Sequence, residues 1–210
     1  MEIVFLLFDR LTALDAIGPY EVLSRLPDAH VTFAAKLEKP VTTDDGFLKL
    51  CPSRAMAAVR KADVLVIPGG WGTRALETDE ETLTWVRDLH QTTTWTTSVC
   101  TGSLVLGAAG LLRQRRATTH WAVLDLLRNH GASPVRERVV FDDKIVTAAG
   151  VSAGIDMALE LSARIAGADV AQAIQLGIEY DPRPPFSSGS PETAPAPIVE
   201  MVRARLATRS

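Results

Sequence analysis

Short apolar runs alternate with amphipathic stretches along most of the chain. The runs at 2–8, 30–36, 63–67 and 93–99 have the length and β-branched content of buried strands. The stretches between them, at 18–26, 53–61, 78–91 and 103–112, favour helices. This alternation requires crossover connections, so the pattern predicts an α/β fold with a mainly parallel sheet and helices on both faces.

The second half of the chain continues with a predicted hairpin and then helices. The segment 138–149 reads as two short strands that turn at Asp142 and Asp143. Two helices follow, at 152–167 with Gly167 as the C-cap and at 169–180. The Pro/Gly/Ser-rich segment 182–197 is equally compatible with an ordered surface crossing and a linker, and it precedes an amphipathic helix at 198–208. We expect one domain over residues 1–210.

Composition and charge narrow the classes of partner. The 210 residues are 47% hydrophobic and carry a formal net charge of -3, so a broad basic field for nucleic acid is missing. The opening apolar run of six residues is too short for a membrane span or a secretory signal, and an acid precedes it. With only two cysteines, no disulfide framework is indicated, and a cytoplasmic protein with small-molecule partners is expected.

Three loops are candidates for chemistry, because ligands of such sheets gather at the carboxyl ends of the strands. The first strand is followed by TALDAIGPYE, which contains Asp15. The strand DVLVI ends in the loop Pro68–Gly72, and the strand TTWTTSV ends in Cys100–Ser103. Cys51, before a proline, is interpreted as a structural residue at the end of a strand.

The sequence around Cys100 allows two interpretations of this residue. At a helix start, exposed amides favour the thiolate, and the small Gly102 would permit a tight strand-to-helix turn with the sulfur projecting outward. The other reading is a small buried core residue. If Cys100 reacts, the amides of Gly70 and Thr101 are the expected pair of donors to a developing negative charge.

Asp15 also has two readings. It is suitably placed to cap the helix that follows. If it instead lies against Cys100, the carboxyl and the thiol would share protons and titrate as a pair.

Two other motifs carry less weight. Residues 150–154 fit G-x-S-x-G, but α/β-hydrolases place their catalytic histidine after the serine and no histidine follows His130, so Ser152 is interpreted as an N-cap. His120 is a candidate partner for the cysteine. The other histidines are scattered without metal-ligand spacing, so no metal site is predicted.

Taken together, five motifs resemble the ThiJ/PfpI superfamily, which is related to class I glutamine amidotransferases. They are TALDAIGPYEVL, VLVIPGGWG, SVCTGSLVLGAAGLL, ATTHW and VTAAGVSAGIDMALEL, in that order. Within the superfamily the chain is most similar to the isonitrile hydratases, and the likeness covers essentially all of it. The resemblance implies a flavodoxin-like sandwich, usually homodimeric, with Cys100 on a strained elbow and an acid reaching it from the first loop.

The resemblance also implies an activity and its residues. Hydration of a small apolar isonitrile to an N-substituted formamide would use Cys100 as nucleophile and Asp15 as general acid and base. The Thr101 hydroxyl would hold the water or the carboxyl, and no cofactor or metal would be needed. Aspartate at position 15 matches the isonitrile hydratases, whereas the deglycases have glutamate. The alternatives are a glyoxalase or deglycase acting on α-oxo aldehydes, and a cysteine-based oxidative sensor. The expected orienting and pocket residues are Gly69 and Gly70, and Trp71, His120, Trp121 and Val151.

Overall fold

A computed structural model describes residues 1–208, so the last two positions of the predicted domain lie outside the described residues. The chain forms eleven strands and seven α-helices within this range. The strands are β1 (Glu2–Leu6), β2 (His30–Ala35), β3 (Val41–Thr42), β4 (Lys49–Leu50), β5 (Arg54–Ala55), β6 (Val64–Ile67), β7 (Trp95–Val99), β8 (Arg116–Ala117), β9 (Ser133–Pro134), β10 (Val139–Asp142) and β11 (Ile145–Ala148). The helices are α1 (Ala13–Leu23), α2 (Thr73–Leu76), α3 (Glu80–Thr92), α4 (Gly102–Ala108), α5 (Ala153–Ala166), α6 (Ala168–Gly177) and α7 (Ala196–Ala207).

A seven-stranded sheet in the order β10-β11-β7-β6-β1-β2-β5 forms the centre of the fold. Every pairing in it is parallel except that of β10 with β11. The prediction of a mainly parallel sheet is therefore confirmed. The carboxyl ends of β1, β6 and β7, which are neighbours in the sheet, bring the three candidate loops to one edge.

Alternate residues of the central strands supply two apolar layers. Val4, Leu6 and Ile67 point into a core completed by α3 and α4. Ile3 and Phe5 point into a second core completed by α1, α5 and α6. Because successive side chains of a strand face opposite sides, this alternation requires helices on both faces, as the sequence pattern predicted.

The segment 53–61 differs from its predicted helix. It forms the short edge strand β5, which pairs with Ala34 and Ala35 of β2, followed by one turn of 3₁₀-helix at Met56–Ala58. The Trp85 indole N–H donates to the carbonyl oxygens of Met56 and Val59, at 2.9 and 3.1 Å. These tertiary contacts override the helical propensity of the alanines.

The hairpin and the helix after it agree with the sequence pattern. β10 and β11 are antiparallel with Asp142 opposite Ile145, so the turn lies at Asp143 and Lys144, one residue beyond the predicted position. Asp143 has a positive φ of 57°. Gly167 is the C-cap of α5, as predicted, and its φ of 91° is accessible to glycine at little cost.

The described chain divides into two compact units, residues 1–178 and a second unit from Glu179 onward. The three apolar clusters formed by residues 1–208 belong to the first unit. In the second unit, hydrogen bonds from the amides of Thr193 and Ala194 to the Ser190 carbonyl form an ordered turn before α7. α7 begins two residues before its predicted start, and the single-domain assignment stays a prediction.

Candidate active site

Cys100 lies between β7 and α4 in a left-handed backbone conformation, with φ of 55°. A non-glycine residue rarely adopts this conformation, and here hydrogen bonds enforce it. The Cys100 amide donates to the carbonyls of Ala148 and Ala149, at 3.1 and 2.9 Å. The Cys100 carbonyl accepts from the hydroxyls of Thr119 and Ser103, at 2.8 and 3.2 Å. The predicted strained elbow is present, with the cysteine only 6% exposed.

The turn after the cysteine is tight enough to require glycine. A Cβ atom at Gly102 would lie 2.1 Å from the Ile67 carbonyl oxygen, which excludes any side chain at this position. Helix α4 therefore starts directly against the end of β6. This close approach brings the Cys100 elbow and the glycine loop after β6 into contact.

Asp15 is completely buried in the first turn of α1. Its Oδ2 accepts a hydrogen bond of 2.9 Å from the Gly69 amide, whereas its Oδ1 has no hydrogen-bond partner. Burial raises the pKa of Asp15 from 3.8 to about 7, and the charge of Asp44 adds to this, while the Gly69 amide and Cys100 lower it. Asp15 is therefore partly protonated near neutral pH, although it is a carboxylic acid.

The Cys100 thiol lies next to Asp15, and each group shifts the pKa of the other. Burial, followed by the charge of Asp15, raises the pKa of Cys100 well above its usual range. The amides of Thr101 and Val151 and the Thr101 hydroxyl act in the opposite direction. Burial and the charge of Asp15 therefore both favour the protonated thiol in the free site.

The glycine loop after β6 forms the floor beneath Asp15 and Thr101. A Cβ at Gly69 would lie 2.6 Å from the Thr101 nitrogen and 2.8 Å from Asp15 Oδ2. Gly70, with φ of 130°, passes just as close to the backbone of Arg10. Backbone, rather than side chains, therefore forms this part of the site.

Of the two amides expected as donors to a developing negative charge, that of Thr101 acts on the sulfur. The Gly70 amide donates to Thr101 Oγ1 at 2.9 Å, and the amides that stabilise a negative sulfur are those of Thr101 and Val151. Val151 has a φ of 36°, a rare conformation for a β-branched residue. Sequence reasoning assigned Val151 only to the pocket wall, because backbone strain leaves no signature in a single sequence.

His120, Trp121 and Val151 are each half-buried. The His120 ring packs against Gly150, and its centroid is 5.5 Å from that of Trp121. His120 Nδ1 accepts from the Ala122 amide at 3.3 Å, and burial lowers the pKa of His120, so the ring is neutral with its proton on Nε2.

Trp71 has a different environment from the other aromatic candidates. It is half-buried, and the Arg74 guanidinium lies 4.2 Å from the centre of its ring. One face of Trp71 is therefore already covered by a cation.

Several other sequence candidates have structural roles. Ser152 stands at the N-cap position of α5 but makes no side-chain cap bond, and its hydroxyl accepts from Arg138 at 3.3 Å. Cys51 follows β4 directly, as predicted, and is exposed. Over residues 1–208 no group of three or more His, Cys, Asp or Glu side chains could hold a metal ion, and no helix is long and apolar enough to cross a membrane.

Comparison with known proteins places these observations in a family. An isonitrile hydratase of Pseudomonas putida is 49% identical over 207 residues, which cover 99% of this chain and 90% of the relative. The crystal structure of a ThiJ/PfpI family protein from Pseudomonas syringae superposes with a TM-score of 0.95 at 40% identity, covering 99% of this chain and 86% of that one. Deglycase PfpI of Pyrococcus furiosus is 26% identical over 149 residues, 70% of this chain and 89% of the relative.

The profile of the DJ-1/PfpI family matches residues 1–164, a range that contains the whole of the Cys100–Asp15 site. Together with the flavodoxin-like sheet and the cysteine elbow, this match shows that the chain belongs to the DJ-1/PfpI family.

Proposed function

We propose that this protein is an isonitrile hydratase, which converts R–N≡C to the formamide R–NH–CHO. The observation that carries the proposal is a fully buried aspartate, with one carboxyl oxygen unpartnered, beside a cysteine on a strained elbow. The relative from Pseudomonas putida, 49% identical, carries that name. A pair of this kind can move one proton between sulfur, carboxyl and substrate without any bound cofactor.

In the first step, Asp15 takes the Cys100 proton and the sulfur forms a bond to the terminal isonitrile carbon. Asp15 then delivers that proton to the same carbon. The product is a thioimidate, R–N=CH–S–Cys100, and the carboxylate is regenerated. The amides of Thr101 and Val151 stabilise the negative charge while it resides on sulfur.

In the second step, a water molecule gives one proton to Asp15 as its oxygen adds to the thioimidate carbon. Asp15 passes this proton to the nitrogen, which gives the tetrahedral intermediate R–NH–CH(OH)–S–Cys100 and leaves Asp15 as the carboxylate. The intermediate then collapses. The carbon–sulfur bond breaks, the hydroxyl proton leaves through Asp15 to the sulfur, and the formamide departs. The unpartnered Asp15 Oδ1 is the oxygen suited to these transfers, since Oδ2 is held by the Gly69 amide.

The pKa of Asp15 suits this double role. A general acid and base works best when its pKa is near the working pH, and burial brings that of Asp15 to about 7. An ordinary surface aspartate, with a pKa of about 3.9, would be too weak a base to take the thiol proton at this pH.

The apolar R group requires an apolar wall, which we assign to Val151, Trp121 and the ring of His120. The His120 ring contacts Gly150, which precedes Val151, and lies 5.5 Å from the Trp121 ring. Trp71 is assigned a place at the rim, because Arg74 covers one face of its ring. The Thr101 hydroxyl, bonded to Gly70, fixes the loop opposite them.

Formamide formation from cyclohexyl isonitrile tests the proposal. The wild-type protein should turn over, Cys100→Ala should be inactive, and Asp15→Asn should lose at least about 100-fold in kcat. Cys51→Ala is the matched control, since this exposed cysteine lies outside the site, and it should keep full activity. A wild-type protein without formamide product, or a Cys100→Ala variant that retains turnover, would refute the assignment.

A deglycase or glyoxalase is the second candidate, because Deglycase PfpI shares 26% identity over 149 residues. The same cysteine would then attack an aldehyde carbon of an α-oxo aldehyde such as methylglyoxal. A kcat/KM for methylglyoxal above that for isonitriles would select this function. We expect the reverse, since Asp15 is shorter by one methylene than the glutamate of the deglycases.

The homodimer and the cytoplasmic location implied by the family resemblance complete the proposal. Light scattering after size exclusion should give twice the mass of the 22.7 kDa chain. Cell fractionation should recover the protein with cytoplasmic markers.

A further inference from the structure

The turn between β3 and β4 lies against the segment that leads into α1. Leu11 forms one β-bridge with Thr43 of this turn and another with Gly70 of the glycine loop. The Asp44 amide donates to the Leu11 carbonyl at 2.9 Å. The turn is thereby joined through Leu11 to the floor of the active site.

Asp44 makes a second contact with the same segment, through its side chain. Thr12 Oγ1 donates to Asp44 Oδ2 at 2.7 Å. Thr12 is the N-cap residue of α1, where a threonine hydroxyl commonly accepts from an amide of the first turn. Here the Thr12 side chain makes no cap bond, and its hydroxyl is directed to Asp44.

The backbone of Thr12 belongs to a closed ring of hydrogen bonds that holds the catalytic acid. The Thr12 amide donates to the Gly69 carbonyl at 2.9 Å, and the Gly69 amide donates to Asp15 Oδ2 at 2.9 Å. The Asp15 amide closes the ring by donating to the Thr12 carbonyl at 3.1 Å. A displacement of Thr12 therefore affects Asp15 in two ways: through Gly69, which bonds the Asp15 carboxylate, and through the Thr12 carbonyl, which bonds the Asp15 amide.

We propose that Asp44, which lies outside the reacting pocket, is a positioning residue for Asp15: it anchors the Thr12–Gly69–Asp15 ring and sets a second negative charge beside the acid. This inference deepens the proposed hydration reaction and rests on it for its kinetic readout. Asp44 does not touch substrate and transfers no proton. Its role is to keep Asp15 in place and partly protonated.

The charge of Asp44 matters because few titratable groups act on Asp15. The titratable groups that act on Asp15 are Asp44, from the β3–β4 turn, and Cys100, from the end of β7. Asp44 is half-buried, so its field is less screened by water than that of a surface carboxylate. A like charge favours the protonated form of Asp15, which is the form that delivers the proton.

Asp44→Asn tests the charge while keeping an oxygen for the Thr12 hydroxyl. The matched control is Asp45→Asn, one residue along, whose Oδ1 accepts from Thr43 Oγ1 and from the Phe47 amide within the turn. The titration of Asp15 is followed by its ¹³C carboxyl signal, assigned by its loss in Asp15→Asn, and by the pH dependence of kcat. Asp44→Asn should lower both midpoints by about 0.5 to 1 pH unit.

The control and rescue variants separate charge from general disruption. Asp45→Asn should leave the midpoints unchanged. Asp44→Glu, which keeps the negative charge, should have midpoints equal to those of the wild type. Thr12→Val, which removes the anchoring donor and keeps the Asp44 charge, should lower kcat about tenfold with little change in midpoint. Equal midpoints in Asp44→Asn and Asp45→Asn, or full kcat in Thr12→Val, would overturn the proposal.

The two readouts also separate this inference from the proposed function. The carboxyl signal of Asp15 titrates whether or not the protein accepts isonitriles. A wild-type protein without turnover, whose Asp15 midpoint still moves in Asp44→Asn, would refute the hydration reaction and support the control of Asp15 by Asp44. Turnover with an unmoved midpoint would refute the role of Asp44 and leave the reaction standing.

Discussion

Asp15 shows how burial changes the chemistry of a single side chain. With no exposed surface and one amide donor, its carboxylate receives little compensation for the water it has lost. The protein accepts this cost in a group that a hydrophobic residue of similar size could replace more stably. Such a conflict between stability and local chemistry is typical of functional sites.

Asp15→Asn should therefore stabilise the protein at neutral and alkaline pH. The folded pKa of about 7 lies above the unfolded value near 3.8, so between them the native state binds more protons and stability falls as pH rises. Asparagine removes this dependence. The difference in unfolding free energy between variant and wild type should grow by about 2 to 4 kcal/mol from pH 4 to pH 8.

Urea unfolding of both proteins at each pH measures this difference. Titrations common to both proteins cancel in the comparison, so the remaining slope belongs to Asp15 and to its coupling with Cys100. A difference that stays constant from pH 4 to pH 8 would contradict the raised pKa.

Gly69→Ala should disrupt the site through one methyl group. The added Cβ would meet the Thr101 nitrogen at 2.6 Å and Asp15 Oδ2 at 2.8 Å, so the acid and the elbow must separate. We expect kcat to fall at least about 100-fold, because a displacement near 1 Å is enough for such a loss. Gly177→Ala, where the added Cβ meets open space, is the control and should keep wild-type kcat.

At the scale of elements, helices α1 and α5 pack against each other on one face of the sheet, next to the site. Gly18 of α1 packs on Ile155 of α5, and Gly154 of α5 packs on Pro19 of α1. α1 carries Asp15, and the loop before α5 carries the Val151 amide. The close packing of these helices thus relates the acid to a donor that acts on the sulfur.

The ease of predicting each element followed the strength of its pattern. The buried strands and α3 were predictable because their apolar periodicity is sustained. The 3₁₀ segment at Trp121–His130 and the edge strand β5 were not, since short elements depend on tertiary partners. Cys100 and Asp15 could be singled out by motif, whereas the Val151 amide and the Gly70–Thr101 bond could not, because they belong to backbone geometry.

Arg138→Ala should remove side-chain contacts that fix the start of α5. Arg138 pairs with Asp156 of the first turn and donates to the Ser152 hydroxyl, and its carbonyl accepts from the Ala149 amide at 2.9 Å. Without this side chain the Val151 amide is less well fixed, so alkylation of Cys100 by iodoacetamide should slow several-fold. Stability should change by less than about 1 kcal/mol, because Arg138 is half exposed.

Arg116→Ala is the matched control for this prediction. Arg116 pairs with Glu137 at similar exposure, and neither residue belongs to the loop before α5. Its alkylation rate should equal that of the wild type. Equal rates in all three proteins would show that Arg138 does not fix the donor.

At the scale of the whole molecule, the apolar core and the reactive residues both belong to residues 1–178. The three apolar clusters, the seven-stranded sheet and the Cys100–Asp15 site are all formed by this unit. In the second unit, α7 buries none of its side chains. Foldability should therefore be a property of the first unit.

A chain truncated after Ile178 should fold cooperatively on its own. We expect circular dichroism and urea unfolding to give a single transition, because no member of the core clusters is removed. Retained alkylation of Cys100 would show that the site survives. A truncated chain without a cooperative transition would refute this prediction.

The glycine floor beneath Asp15 also determines how this scaffold can diversify. At Gly69 and Gly102 the backbone passes so close to its neighbours that no side chain fits. Mutation therefore cannot change the size or polarity of that surface. Variation is left to the residues proposed for the wall and rim of the pocket, such as Trp121, Val151 and Trp71, whose side chains are half exposed. A directed-evolution library for new substrates should therefore randomise the walls and leave the floor untouched.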